Sequence, residues 1–207
     1  PAPNIVRLRL SAYEVDGESL SKVIDSEFTK LYDIIPQHIV GFEEASIEGA
    51  VHRLLIERGE SLAVAESCTG GRIASLFTAQ AGASAYFMCG AVTYSNDSKC
   101  RVLGVSEDDI RAFGAVSEQV ACQMAEGVRR ISGADYGIST TGIAGPSGGT
   151  PEKPVGTVYV GLFVKGKASA RLVYTNPLDS DGNVREFIRL STVLAALEWI
   201  ESELFRM

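Results

Sequence analysis

Three times between residues 62 and 149 a short apolar run passes straight into hydroxyl-bearing and small residues, while the intervening segments carry apolar side chains at helical spacing. Short apolar runs bounded by turn residues read as buried strands, and strands alternating with helices pack as layers around one core. The runs are residues 62–65, 89–94 and 136–141, and they exit into Glu66-Ser67-Cys68-Thr69-Gly70-Gly71, Thr93-Tyr94-Ser95-Asn96 and the glycine-rich residues 142–149. Helices are expected from about residue 46 to Gly59, after Gly71, across Lys99 and Val102 to Gly104, from Ser117 with Val120, Met124, Val128 and Ile131 inward, and from about Asn183. Ser106 and Ser117 read as N-caps. Residues 156–164 and 168–175, joined by Lys165-Gly166-Lys167, read as a hairpin, so the expected fold is a layered α/β/α domain with a mixed sheet over residues 46–207.

Ahead of this domain, residues 4–10 alternate as a half-buried strand, residues 19–32 carry helical spacing, and an apolar run at 38–41 follows Pro36. A strand-helix-strand of about 40 residues buries little core by itself. Residues 1–42 therefore read as part of a small α/β module or as an appendage, joined to the main domain through residues 42–45. A chain that begins at Pro1 is expected to be a fragment or a processed product.

Composition narrows the function. Nineteen Lys and Arg against 26 Asp and Glu give a net charge of −7, so counterion release over the whole surface cannot drive binding to a phosphate backbone. Nucleic acid is not expected as the main partner. No apolar run reaches the roughly 18 residues of a membrane span. Cys68, Cys89, Cys100 and Cys122 form no CxxC pair and read as reduced thiols of a cytoplasmic protein. With only His38 and His52 as histidines, no zinc-ligand spacing exists, and neither metal nor cofactor is expected.

In sheets of this kind ligands collect beyond the carboxyl ends of the strands, where the three exits lie. At the first, Ser67 offers a hydroxyl, and Thr69, Gly70 and Gly71 offer backbone N–H groups at a helix start that favours an anion or oxyanion; an N-cap serine followed by packing glycines is the plainer reading. At the second, Tyr94 precedes Lys99. A lysine becomes a base near neutral pH only if burial or a neighbouring cation removes about three pH units of basicity, on the order of 4 kcal/mol, and a solvated surface lysine is the ordinary alternative. At the third, the glycines can cradle a phosphate or simply form a flexible loop. Arg185 and Arg189, four apart on the last helix, suit a substrate phosphate or surface carboxylates.

Taken together, residues 65–71, Thr93-Tyr94-Ser95-Asn96 with Lys99, Gly142-Ile143-Ala144-Gly145-Pro146 and residues 152–158 resemble the C-terminal domain of the CinA family over residues 46–204. Residues 1–42 resemble the tail of the KH-like module that precedes it. The resemblance implies hydrolysis of the carboxamide of nicotinamide mononucleotide to nicotinic acid mononucleotide and ammonia, a pyridine-nucleotide salvage step. It assigns Ser67 as nucleophile, Lys99 as general base, Tyr94 and Thr141 as neighbouring hydroxyls, and Arg185 as a substrate contact. Thr69, Gly70, Gly71, Gly142 and Gly145 are expected around the substrate, and a homo-oligomer, dimer or higher, is expected from the resemblance alone. The chain departs from the family just before Arg185, where Asn183-Val184 follows a longer residue 179–182 loop in place of Gly-Asp. A non-catalytic nucleotide- or protein-binding domain, or another amidase using the same pair, are the rival readings.

Overall fold

The computed structural model describes residues 17–35, 46–176, 178 and 182–205. The chain divides into two compact units, Pro1–Ser46 and Ile47–Met207. In the first, a helix α1 (Gly17–Ile34) covers the segment whose spacing is helical. The strand expected at residues 4–10 and the apolar run at 38–41 lie outside the described residues.

The second unit begins with α2 (Ile47–Arg58), which turns Ile47, Ala50, Val51 and Leu55 inward. β1 (Leu62–Glu66) follows and is buried at every position, as a strand covered on both faces must be. It leads to α3 (Arg72–Thr78), β2 (Phe87–Val92), α4 (Asn96–Leu103), α5 (Glu107–Phe113) and α6 (Glu118–Ser132). Three strands and a helix complete the unit: β3 (Tyr136–Gly142), β4 (Thr157–Val164), β5 (Lys167–Tyr174) and α7 (Val184–Phe205). The five strands form one sheet in the order β2-β1-β3-β4-β5. β1 runs parallel to β2 and β3, whereas β4 is antiparallel to both β3 and β5, which makes the sheet mixed as the sequence predicts. The β4–β5 turn places Lys165 at φ 50° and Gly166 at φ 78°, the paired left-handed residues of a type I′ hairpin.

Alternation along the strands divides the core. Ala63 and Ala65 of β1 pack with Leu103, Val105, Val120, Met124 and Val128 beneath α4 and α6. On the opposite face Val158 packs with Cys68, Ala144 and Ile188 of α7. Ser95, Ser106 and Ser117 cap α4, α5 and α6, each hydroxyl accepting from the backbone N–H three residues on. Two positions differ from expectation. Ile131 is 45 % exposed because it sits in the final turn of α6, before the left-handed Gly133 cap. β2 ends at Val92 rather than Tyr94 because the carbonyls of Thr93 and Tyr94 leave the ladder and accept hydrogen bonds from Lys99.

Helix α6 lies so close to the sheet that side chains are excluded under it. A Cβ on Gly137 would stand 2.2 Å from the Ala125 carbonyl oxygen, and one on Gly161 2.4 Å from that of Ala121, to which Ser139 Oγ donates at 2.6 Å. Gly137→Ala is therefore expected to lower stability by about 1–3 kcal/mol, read as a fall in the urea midpoint. Glu201 of α7 is buried, and among the described residues its Oε1 has no hydrogen-bond partner. Burial, with Glu198 adding to it, pushes its carboxyl up to about 7. The folded chain thus holds this proton up to about 7 whereas the unfolded chain releases it near 4.3, so stability from this group falls as pH rises across that window. Glu201→Gln is expected to raise the urea midpoint at about pH 8 and to lose most of that gain at about pH 4; equal gains at both would refute the assignment.

Candidate active site

Beyond the carboxyl ends of β1, β2 and β3 lies a cleft of about 200 Å³ lined by Ser67, Cys68, Tyr94, Asn96, Lys99 and Arg185, with Ala115, Val116, Thr141, Gly142 and Ala144 closing it. Its centre is set by a buried lysine. α4 starts at the Ser95 cap, so Lys99 stands one turn in and points back toward the strand exits; its side chain is 1 % exposed. Lys99 Nζ donates to the Thr93 carbonyl at 2.9 Å, to the Tyr94 carbonyl at 3.3 Å and to Ser67 Oγ at 3.1 Å. Desolvation holds its pKa below the ordinary 10.5. Once the ammonium has lost a proton, two N–H bonds satisfy the carbonyls and the lone pair faces the Ser67 hydroxyl, which then donates to Nζ along the same line. That is the arrangement of a nucleophile with its base.

Ser67 is held from the backbone, its N–H donating to the Thr140 carbonyl at 3.0 Å. Cys68 beside it also lines the cleft, but burial pushes its thiol up to about 11, so the sulfur stays protonated at neutral pH. Of the two neighbouring side chains, it is the serine oxygen that meets the lysine amine.

The turn after Ser67 differs from its sequence reading. Glu66, 1 % exposed at the end of β1, accepts from the Gly71 N–H at 2.9 Å and the Ala74 N–H at 2.9 Å. Its carboxylate therefore occupies the start of α3, where a substrate anion was expected, and Gly71 has no N–H left to offer. The Thr69 side chain is fully buried and its hydroxyl pairs with that of Thr140 at 2.7 Å. Thr69, Gly70, Gly71 and Gly145 all stand outside the cleft lining, whereas Gly142 belongs to it.

On the far wall, Thr141 Oγ1 donates to the Ala115 carbonyl at 2.8 Å, so this hydroxyl fixes the α5–α6 connection. Lys153 reaches across from the glycine-rich segment to the same connection, donating to the carbonyls of Phe113 at 2.6 Å and Val116 at 2.7 Å. Sequence reasoning missed this wall, because Ala115 and Val116 are ordinary small apolar residues ahead of a cap. At the mouth, Arg185 donates to the Gly145 carbonyl at 2.9 Å and to the hydroxyl of Tyr94 at 2.9 Å. Both acceptors are neutral, and among the described residues no carboxylate pairs with Arg185, so its full positive charge faces the cleft. Tyr94 is 61 % exposed and contributes its carbonyl to Lys99 and its hydroxyl to Arg185. Arg189 points elsewhere, to the carbonyls of Cys68 and Thr69. Among the described residues no group of three or more His, Cys, Asp or Glu side chains is placed to hold a metal ion, and no helix is long and apolar enough to cross a membrane.

Known proteins share this sequence and fold. A family model described as the CinA C-terminal domain matches residues 44–204. A Clostridium novyi protein named for competence-damage induction is 42 % identical over 201 residues, covering 97 % of this chain and 47 % of that protein. A CinA-like protein of Thermotoga maritima is 43 % identical over 193 residues, 93 % of this chain and 45 % of that one. The chain thus spans about half the length of the curated relatives it matches. The crystal structure of competence damage-inducible protein A from Klebsiella pneumoniae superposes with a TM-score of 0.71 at 34 % identity, covering 77 % of this chain and 95 % of that one. Competence/damage inducible protein CihA from Agrobacterium tumefaciens gives 0.69 at 39 % identity, covering 80 % and 99 %.

The capping role of Glu66 is open to direct measurement. Glu66→Gln replaces one acceptor oxygen by an amide nitrogen, which cannot accept from a backbone N–H, and is expected to cost about 1–3 kcal/mol in urea unfolding. An unchanged midpoint would show that water or another group serves the start of α3 equally well.

Proposed function

Because the chain belongs to the CinA C-terminal domain family, as the match over residues 44–204 shows, we propose that it is an amide hydrolase using Ser67 and Lys99, and that its substrate is nicotinamide mononucleotide. The observation that carries this reading is the 3.1 Å approach of a buried lysine amine to a serine hydroxyl, with the amine's other donors engaged by the carbonyls of Thr93 and Tyr94.

Ser67 Oγ attacks the carboxamide carbon while its proton passes to Lys99 Nζ. The carbonyl oxygen becomes an oxyanion, served by an N–H group of the turn after Ser67. Ser67 N–H and Gly71 N–H are engaged elsewhere, and the N–H of Cys68, next to the nucleophile on a residue that lines the cleft, takes this role. The Lys99 ammonium then protonates the leaving nitrogen, the C–N bond breaks, and ammonia departs from an acyl-Ser67 ester. Water attacks the ester, Lys99 takes its proton and returns it to Ser67 Oγ, and the carboxylic acid product leaves. One base thus serves both halves of the reaction. On a protein of net charge −7, Arg185 supplies local positive charge for the nucleotide phosphate, and Ala115, Val116 and Ala144 offer small apolar surface to a flat ring. The four cysteines are free thiols, which supports a reducing, cytoplasmic setting, and no cofactor is needed for this chemistry. Assembly into a homo-oligomer remains part of the family-based proposal.

Ammonia release and product identity test the reading. The wild-type chain is expected to convert nicotinamide mononucleotide to nicotinic acid mononucleotide, and Ser67→Ala and Lys99→Ala each to lower kcat by about a thousandfold or more. Binding of the nucleotide without turnover would favour a binding module instead. Since the base form of Lys99 exists above its pKa, kcat/KM is expected to rise with pH and level off at a midpoint below 10.5; a profile that falls over this range would exclude Lys99 as the base. Arg185→Met is expected to raise KM for the nucleotide about 10- to 100-fold and to leave free nicotinamide unaffected. Equal effects on both would remove the phosphate from the assignment.

A further inference from the structure

The proposed mechanism leaves one half-buried arrangement around the nucleophile unused. Arg189, one turn after Arg185 on α7, sends Nε to the Cys68 carbonyl at 3.2 Å and Nη2 to the Thr69 carbonyl at 2.8 Å. Its remaining nitrogen Nη1 lies 3.5 Å from Glu186, whose other oxygen pairs with Arg72 at the start of α3. The guanidinium therefore grips two consecutive peptide groups immediately after Ser67 and is itself held to both flanking helices. Gly70 makes the grip possible: it sits at φ +65°, and a Cβ there would approach Arg189 Nη2 to 3.3 Å.

Peptide geometry gives this contact a consequence. In a trans peptide the carbonyl and the following N–H point in opposite directions, and the Gly145-Pro146 bond is the cis peptide identified in the chain. A hand on the Cys68 carbonyl thus sets the direction of Thr69 N–H, and a hand on the Thr69 carbonyl sets that of Gly70 N–H. These two peptide planes follow directly on the Ser67–Cys68 peptide, whose N–H belongs to a residue that lines the cleft and is not committed to Thr140 or Glu66.

We propose that Arg189 is a positioning residue for the reaction: by fixing the two peptide planes that follow Cys68 it holds the Cys68 N–H toward the developing oxyanion and Ser67 Oγ on Lys99. It does not touch substrate. This rests on the Ser67–Lys99 hydrolase reading above. The inference separates two arginines four residues apart, Arg185 serving binding and Arg189 serving the chemical step.

The experiment compares wild type, Arg189→Met and Arg189→Lys, each first checked for cooperative thermal unfolding, in nicotinamide mononucleotide turnover and in labelling of Ser67 by a fluorophosphonate probe. Arg189→Met is expected to lower kcat and the labelling rate by about 10- to 100-fold with KM within about twofold of wild type. The midpoint of the ascending pH limb should stay in place, since Lys99 is untouched. Arg189→Lys, a single point donor, is expected to recover only part of the loss. If Arg189→Met fails to fold, Glu186→Gln, which releases one anchor of the same guanidinium, is expected to give a smaller fall in kcat with KM unchanged. Retained kcat and labelling in Arg189→Met, or a raised KM with kcat intact, would overturn the inference. So would wild-type protein that the probe does not label. Wild-type protein that is labelled at Ser67 but does not turn over the nucleotide would sink the substrate assignment alone, and the labelling rates would still decide the role of Arg189.

Discussion

A lysine amine removed from water must find its acceptors in the protein, and the acceptors Lys99 finds hold the cleft together. The carbonyls of Thr93 and Tyr94 come from the exit of β2, the hydroxyl of Ser67 from the exit of β1, and the amine itself from α4. Two neighbouring segments and a third, 32 residues away, thus converge on one nitrogen. Burial penalises the charged form of that nitrogen, while neutral acceptors do little to restore it, so the side chain is biased toward the state that can take a proton. At the end of β2 the Thr93 N–H still donates to the Glu66 carbonyl, while the carbonyls of Thr93 and Tyr94 turn to the amine.

Around this centre the turn after Ser67 is secured from two sides. Glu66 takes the N–H groups of Gly71 and Ala74, and Arg189 takes the carbonyls of Cys68 and Thr69, so donors and acceptors of the same turn are satisfied by opposite charges on opposite elements. A buried carboxylate and a half-buried guanidinium are each costly alone, and each is stabilised here by at least two hydrogen bonds to the backbone. The facing wall follows a similar principle: Thr141 and Lys153 hold the α5–α6 connection through its carbonyls, leaving its small apolar side chains toward the cleft. Of the charged groups at the cleft, Arg185 alone is held through neutral acceptors at the mouth, which is what makes its charge available.

Much of this was legible beforehand, for identifiable reasons. The strand exits announce themselves because buried strands read as apolar runs and must end in polar or glycine-rich turns, so Ser67, Tyr94, Lys99, Thr141 and Gly142 could be placed at the carboxyl edge before any coordinates. Serine caps were equally plain, since their hydroxyls act within three residues. Glu66 and Arg189 were not. A glutamate ending a strand and an arginine on a distant helix carry no local mark of the backbone groups they serve, and Gly70 and Gly71 looked like anion donors until those partners were visible.

Local chemistry in the sequence determined the order of helices and strands, the mixed sheet and the residues standing at its carboxyl edge, because period, caps and turn residues act within a few positions of themselves. What only the tertiary structure decided was which polar groups meet: that Lys99 is dry, that Ser67 lies 3.1 Å from its amine, that Glu66 rather than a ligand fills the start of α3, and that Arg185 faces the cleft while Arg189 grips the turn. Hydrogen bonds and desolvation act over a few ångströms in space, and the residues they join here are separated by up to 121 positions along the chain.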